Sequence, residues 1–392
     1  MANRKGMEVS IAVSEAVKLA NVDVISAYPI TPQTHIVEHL SELVADGELQ
    51  AAFIPVESEH SALSAALGAA AVGARSYTAT SSQGLALMHE IMFIVSSIRM
   101  PLVMTVVNRA LSAPINIWND LSDIMAERDC GWIQLFAING QEAIDLTLQA
   151  FKIAEDPRVL LPVVVNLDGF VLSHVIEPVE LPDQETVDGF LPPFKPVLRL
   201  DPDHPVTIGA FGSPDVFMEV KKQVEEALID SQKVITEVWK DFGNRFGRHY
   251  KPIESYQAKG ADTLLVTMGS ISETAMTAVD RLREKGEKVG LLHIRLWRPF
   301  PFKEFFQAIR GAKALAVVDR ALVPGGMGGP VGLEIKSALF DKTDRPYVAD
   351  FVAGLGGRDL TVALFEEMVE KAKRYAQKQK EMRYEMIGVR EK

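Results

Sequence analysis

Six short, mostly apolar runs alternate with helical patterns over residues 8–166, and that alternation leaves few folds open. The runs lie at 22–26, 51–55, 76–80, 101–107, 133–138 and 159–166. Between them, apolar residues at three- and four-residue spacing predict helices over 11–19, 34–44, 59–72, 85–98 and 143–154, with a short one near 121–128. Strands that are apolar throughout, rather than alternating, are buried on both faces. Joined by helices, they predict a parallel, doubly wound α/β sheet. In such sheets ligands bind beyond the carboxyl ends of the strands, so chemistry is expected in the loops there.

The rest of the chain changes character twice. Eight of the 21 prolines fall between Pro178 and Pro214, with little periodicity, which reads as an extended crossing segment. Val216, Val220, Val224, Leu228, Ile235, Val238 and Phe242 then mark a long amphipathic helix. From residue 261 a smaller α/β unit is expected, with strands at 263–268, 289–294 and 314–318 and helices at 274–284, 303–309 and 331–339. The expected division is therefore 1–177, 178–260 and 261–392. The Lys-, Arg- and Glu-rich tail from Glu367 reads as a solvated helix.

Composition excludes several classes. A net charge of −11 without a Lys/Arg stripe argues against a nucleic-acid partner. The single cysteine, Cys130, excludes an internal disulfide and is read as excluding any Cys-ligated zinc or iron–sulfur site made by this chain alone. No apolar run approaches the ~20 residues of a membrane helix. The opening MANRKGMEVS has no signal-peptide core, so a soluble, cytoplasmic protein is expected.

Four loops carry candidate chemistry. SAYPITP (26–32) is a rigid proline-bracketed segment straight after a strand, suited equally to binding or to a plain turn, with Thr31 able to cap the next helix. Glu59 leads an Ala-rich helix in PVESEHSALSAALGAA; it is either a helix cap or a carboxyl set in a low-dielectric cleft, where it can share a proton with a ligand nitrogen. TATSSQG (78–84) has the small residues of a pocket floor, although capping by Ser81 or Ser82 explains it nearly as well. Arg109, just past an apolar strand, suits a small carboxylate or a structural salt bridge. The glycine-rich turns PGGMGGP (324–330) and FVAGLGGRDL (351–360) are not dinucleotide fingerprints and read as tight turns or packing contacts. No GDG-type motif for a magnesium–diphosphate occurs.

SAYPITP, VESEHSALSAALGA (56–69), TATSSQGLALM (78–88) and NRALSAPINIWND (108–120) together resemble the α subunits of the pyruvate:ferredoxin oxidoreductase (pyruvate synthase) family. The resemblance continues through RPFP (298–301), VVDR (317–320) and FVAGLGGRD (351–359). It implies a pyrimidine-type thiamine diphosphate-binding domain followed by a transketolase C-terminal-like domain. It further implies thiamine diphosphate shared with a β subunit, and magnesium and 4Fe–4S clusters held by partner subunits. A γ subunit, a ferredoxin-like δ subunit, ferredoxin, pyruvate and coenzyme A complete the expected partners. By resemblance, Thr31 contacts the 2-oxoacid, Glu59 bonds the first ring nitrogen of the aminopyrimidine, and Arg109 binds the substrate carboxylate. Tyr28, Pro29 and Ser82 complete the cofactor-facing set, and no metal ligand is assigned to this chain. One departure stands out: His or Gln is expected where Leu121 stands, which makes the pocket less polar if that side chain faces it. Another 2-oxoacid (2-oxoglutarate or a branched one), a non-catalytic assembly subunit, and a thiamine enzyme working without ferredoxin remain as alternatives.

Overall fold

The computed structural model describes residues 4–381 and 383–390. All six strands expected in the first half form, and they join one sheet. Its order is Ala52–Pro55, Val24–Ala27, Ser76–Thr80, Val103–Asn108, Val163–Asp168 and Ile133–Phe136, all parallel. The central strands Val103–Asn108 and Val163–Asp168 are buried along their whole length, as helices on both faces require. A seventh strand, Leu296–Arg298, closes the edge antiparallel to Ile133–Phe136 and comes from the far part of the chain. Nothing local marks it, because three residues carry no period.

The second sheet runs Glu385–Met386, Tyr347–Val352, Ala314–Asp319, Thr263–Thr267, Val289–Ile294 and Ile253–Tyr256, the last antiparallel. The tail departs from expectation. Helix Val362–Lys378 buries Phe365, Met368, Val369, Ala372 and Tyr375 against this unit rather than standing in solvent. Its apolar stripe has helical spacing, but the dense charges between hide it. The proline-rich segment also departs. Ile176–Glu180 pairs antiparallel with Arg4–Glu8, and a helix follows at Gln184–Phe190, capped by Asp183, whose carboxylate accepts from Thr186 N at 2.8 Å. The long helix spans Pro214–Phe246, yet Val216 and Val220 are exposed and burial begins only at Val224.

The two units are held by buried charge. Arg320 Nη1 meets Asp168 Oδ1 at 2.6 Å, and Ser270 N donates to Asp168 Oδ2 at 2.8 Å. Burial alone would push the Asp168 carboxyl up, but Arg320 and Ser270 hold it below its ordinary value. Arg295 and Glu142 form a second buried pair at 2.6 Å.

Candidate active site

Four neighbouring strands, Ala52–Pro55, Val24–Ala27, Ser76–Thr80 and Val103–Asn108, release their carboxyl ends side by side. The loops they feed are those carrying Glu59, SAYPITP, TATSSQG and Arg109. The sheet order thus gathers four motifs that are scattered in sequence.

Glu59 is the first residue of helix Glu59–Ala71, whose cap is Ser58, with Ser61 N bonding the Ser58 hydroxyl at 3.2 Å. Capping is therefore done by Ser58, and the Glu59 side chain is left for something else. Glu59 is 7% exposed, and its carboxylate makes no hydrogen bond or ion pair among the described residues. It lies against Gly84: a Cβ there would fall 2.6 Å from Glu59 Oε1 and 2.5 Å from Thr80 Oγ1. The hydroxyls of Thr80 and Ser81 and the Oε1 of Gln33 are likewise buried without partners. Buried polar atoms nearly always find partners, so a group of unsatisfied ones beside a free carboxylate marks a place for a ligand. Acceptors and hydroxyls of this kind suit a small planar ring bearing nitrogen and an amino group.

Arg109 is buried and makes no salt bridge among the described residues. Its Nε donates to the Asn116 carbonyl at 2.7 Å and its Nη1 to the Thr31 carbonyl at 2.9 Å. The second contact ties Arg109 to SAYPITP. A guanidinium positioned by neutral carbonyls, with Nη2 unengaged, keeps its charge for an anion. Burial pulls its pKa down, and the nearby Asp123 opposes that. Thr31 and Pro29 are exposed at the rim, with Tyr28 39% exposed.

Residues without an obvious sequence signal hold these loops. Gln33 is fully buried and its Nε2 donates to the Ala79 carbonyl at 2.7 Å, fastening SAYPITP to the next strand. Ser82, fully buried and in left-handed backbone geometry, has its hydroxyl engaged by the Ala110 carbonyl at 2.7 Å. Asp123 is the hub. Its Oδ2 accepts from Ser82 N (3.1 Å) and Arg109 N (2.9 Å), and its Oδ1 from Asn108 Nδ2 (3.1 Å) and Ile124 N (2.8 Å). Leu121 is buried in the apolar cluster beneath, with its N–H bonded to the Arg320 carbonyl at 2.8 Å.

Asp123→Asn is expected to destabilise the protein by ~1–3 kcal/mol, because the amide NH2 then faces donors that are left unsatisfied; a thermal melt measures it. Burial pushes the Asp123 carboxyl up to about 7, against the pull of its four donors. The folded chain therefore holds a proton that the unfolded chain releases near pH 4. Stability from this group is fullest below pH 4 and is lost as pH rises toward 7. The variant should lack that slope.

The glycine-rich turns pack, as expected. A Cβ on Gly328 or Gly332 would strike the Asp350 carboxylate, and one on Gly329 would strike Asp319. FVAGLGGRDL clamps the Arg109 loop: Asn116 Nδ2 donates to the Gly356 carbonyl at 3.0 Å, and Gly356 N to Asp120 Oδ2 at 3.0 Å.

Comparison with known proteins agrees with this architecture. The family described as pyruvate flavodoxin/ferredoxin oxidoreductase, thiamine diphosphate-binding, matches residues 15–240, and pyruvate:ferredoxin oxidoreductase core domain II matches residues 261–365. The chain belongs to the pyruvate:ferredoxin oxidoreductase family. The pyruvate synthase subunit PorA of Methanothermobacter thermautotrophicus is 50% identical over 360 residues, covering 92% of this chain and 93% of that one. PorA of Thermotoga maritima is 51% identical over 89% of each chain. The ketoisovalerate oxidoreductase subunit VorA of Pyrococcus horikoshii is 43% identical over 95% of this chain and 94% of its own. Among solved structures, the 2-oxoglutarate:ferredoxin oxidoreductase of Magnetococcus marinus superposes with a TM-score of 0.71 at 20% identity, over 95% of this chain and 65% of that one, a likeness of fold. No helix among the described residues is long and apolar enough to cross a membrane.

Proposed function

We propose that this chain is the subunit of a 2-oxoacid:ferredoxin oxidoreductase that holds the aminopyrimidine end of thiamine diphosphate and the carboxylate of pyruvate. The carrying observation is that loops of one sheet hold a buried carboxylate, Glu59, and a buried guanidinium, Arg109, neither with an ionic partner among the described residues. When bound, thiamine diphosphate supplies a carbon nucleophile for the 2-oxo carbon and a sink for the electrons released with carbon dioxide. Glu59 holds a proton at the first ring nitrogen of the aminopyrimidine. Thr80 and Ser81 offer hydroxyls to the same ring, and Gly84 lets it approach. Arg109, braced by the Asn116 and Thr31 carbonyls, orients the substrate carboxylate, with Thr31 beside the 2-oxo group. Tyr28 and Pro29 wall the rim toward the cofactor. A β subunit supplies the diphosphate site and magnesium, iron–sulfur clusters in partner subunits carry the electrons to ferredoxin, and coenzyme A takes the acyl group.

Pyruvate is favoured over a branched 2-oxoacid because identity to the PorA chains exceeds that to VorA. Anaerobic purification with accompanying subunits, followed by coenzyme A-dependent reduction of ferredoxin, tests the reading. Pyruvate should give the highest kcat/KM; a preference for 2-oxoisovalerate or 2-oxoglutarate would reassign the substrate. Expressed alone, the chain should bind thiamine diphosphate weakly and show no turnover, since the diphosphate and magnesium belong to the partner. Tight stoichiometric binding in calorimetry would overturn that division of labour.

A further inference from the structure

Cys130 does not stand alone. It follows the short helix Ser122–Ala126, one turn after Glu127, and its thiol donates to Glu127 Oε2 at 3.0 Å. His89, on the facing helix Ser82–Ser97, brings Nδ1 to 2.5 Å from the same oxygen and 4.0 Å from the sulfur. Three ligand atoms of different chemistry, one sulfur, one nitrogen and one oxygen, thus converge from two elements. Glu127 and Cys130 are both 2% exposed, whereas the His89 side chain is 52% exposed and opens the cluster to solvent on one side.

We infer that His89, Glu127 and Cys130 form a zinc-type divalent cation site, separate from the cofactor pocket. Zinc bonds of about 2.0–2.3 Å in tetrahedral array put the ligand atoms roughly 3.3–3.6 Å apart. The sulfur–nitrogen gap of 4.0 Å already accommodates an ion. The other two gaps are short because protons bridge them; once an ion replaces those protons, the sulfur–oxygen gap of 3.0 Å opens by about 0.5 Å and the nitrogen–oxygen gap of 2.5 Å by about 0.8 Å. Binding sends the thiol proton to solvent and moves the bridging His89 proton off Nδ1, to Nε2 or to solvent, leaving the thiolate and a neutral imidazole nitrogen on the metal. Charge closes well too, since one thiolate and one carboxylate neutralise a divalent ion in a site that would otherwise bury an anion beside a thiol. Thiolate, imidazole and carboxylate together select zinc, with cobalt as its spectroscopic substitute, over magnesium or calcium, which take oxygen alone. The fourth position lies on the side left open by His89. An ion here would clamp helix Ser82–Ser97 to the 122–130 segment, the same two elements that Asp123 joins at the cofactor end.

The single cysteine therefore does not exclude thiolate ligation, because sequence spacing cannot show that a distant His and a nearby Glu complete the set.

The test uses the protein purified with its accompanying subunits, dialysed against zinc and then against cobalt. Zinc per mole of this chain should be about one equivalent higher in the natural protein than in His89→Ala or Cys130→Ala. The cobalt difference spectrum, natural minus Cys130→Ala, should show a sulfur-to-cobalt charge-transfer band, while absorption from other groups in the complex cancels. His89→Ala changes a half-exposed side chain and stays folded, so its zinc content decides the matter even if Cys130→Ala does not assemble. Equal zinc in the natural protein and His89→Ala would overturn the site, leaving the three residues as a hydrogen-bonded cluster only. Zinc content is read without turnover, so this outcome is independent of the proposed pyruvate chemistry.

Discussion

Glu59→Gln in the assembled complex is expected to slow turnover by ~10²–10⁴-fold, the range for losing a proton-transfer partner. The amide has the shape of the carboxylate but cannot hold a proton at the pyrimidine nitrogen. The cofactor should still be retained, because Thr80, Ser81 and the Gly84 clearance are unchanged. Helix Glu59–Ala71 should be unaffected as well, since Ser58 rather than Glu59 caps it. Proton exchange at the thiazolium carbon, followed by NMR, isolates the step. Near-normal exchange in the variant, with cofactor bound, would remove Glu59 from the chemistry.

Arg109→Ala should cost less in rate but more in substrate recognition. Leaving a desolvated carboxylate unpaired costs ~2–5 kcal/mol. At ~1.4 kcal/mol per decade, that is roughly 30- to 3,000-fold in kcat/KM. Arg109→Lys should recover part of it, because an ammonium replaces the charge but not the planar fork. The guanidinium also braces two loop carbonyls, worth ~1–3 kcal/mol of stability together, so a modest fall in melting temperature is expected beside the larger kinetic loss. Proton exchange at the thiazolium carbon without substrate should be nearly untouched. That pattern separates substrate binding from scaffolding: an intact, cofactor-loaded variant with unchanged KM for pyruvate would take Arg109 out of the site.

Part of the candidate site is legible in the sequence. Glu59 and Arg109 stood out because a charge beside an apolar strand or helix is costly unless it has a partner. Their environments were not legible. That Ser58 rather than Glu59 caps the helix is a choice of local geometry, and the lack of a counterion at Arg109 among the described residues depends on segments brought together from separate strands. Asp123 and Gln33 passed unnoticed because a polar residue in a loop looks the same in sequence whether it is solvated or buried as a hub. TATSSQG stands out for its small residues, yet only the structure separates Ser82, whose hydroxyl is engaged, from Thr80 and Ser81, whose hydroxyls have no partner among the described residues.

By itself the sequence determined the parallel sheet of the first half, the smaller α/β unit that follows and the loops at the carboxyl ends of the first sheet's strands. Those features follow from apolar periods and turn residues that act over a few positions. Tertiary structure decided what depends on distant partners. It recruited Leu296–Arg298 to the first sheet and turned the charged tail helix into a core element. It also brought His89 against Cys130 and its sequence neighbour Glu127, and set Arg109 against the Thr31 carbonyl. Pairing across a sheet edge and burial of a single polar atom leave no period in sequence; they are fixed when distant segments exclude water from each other.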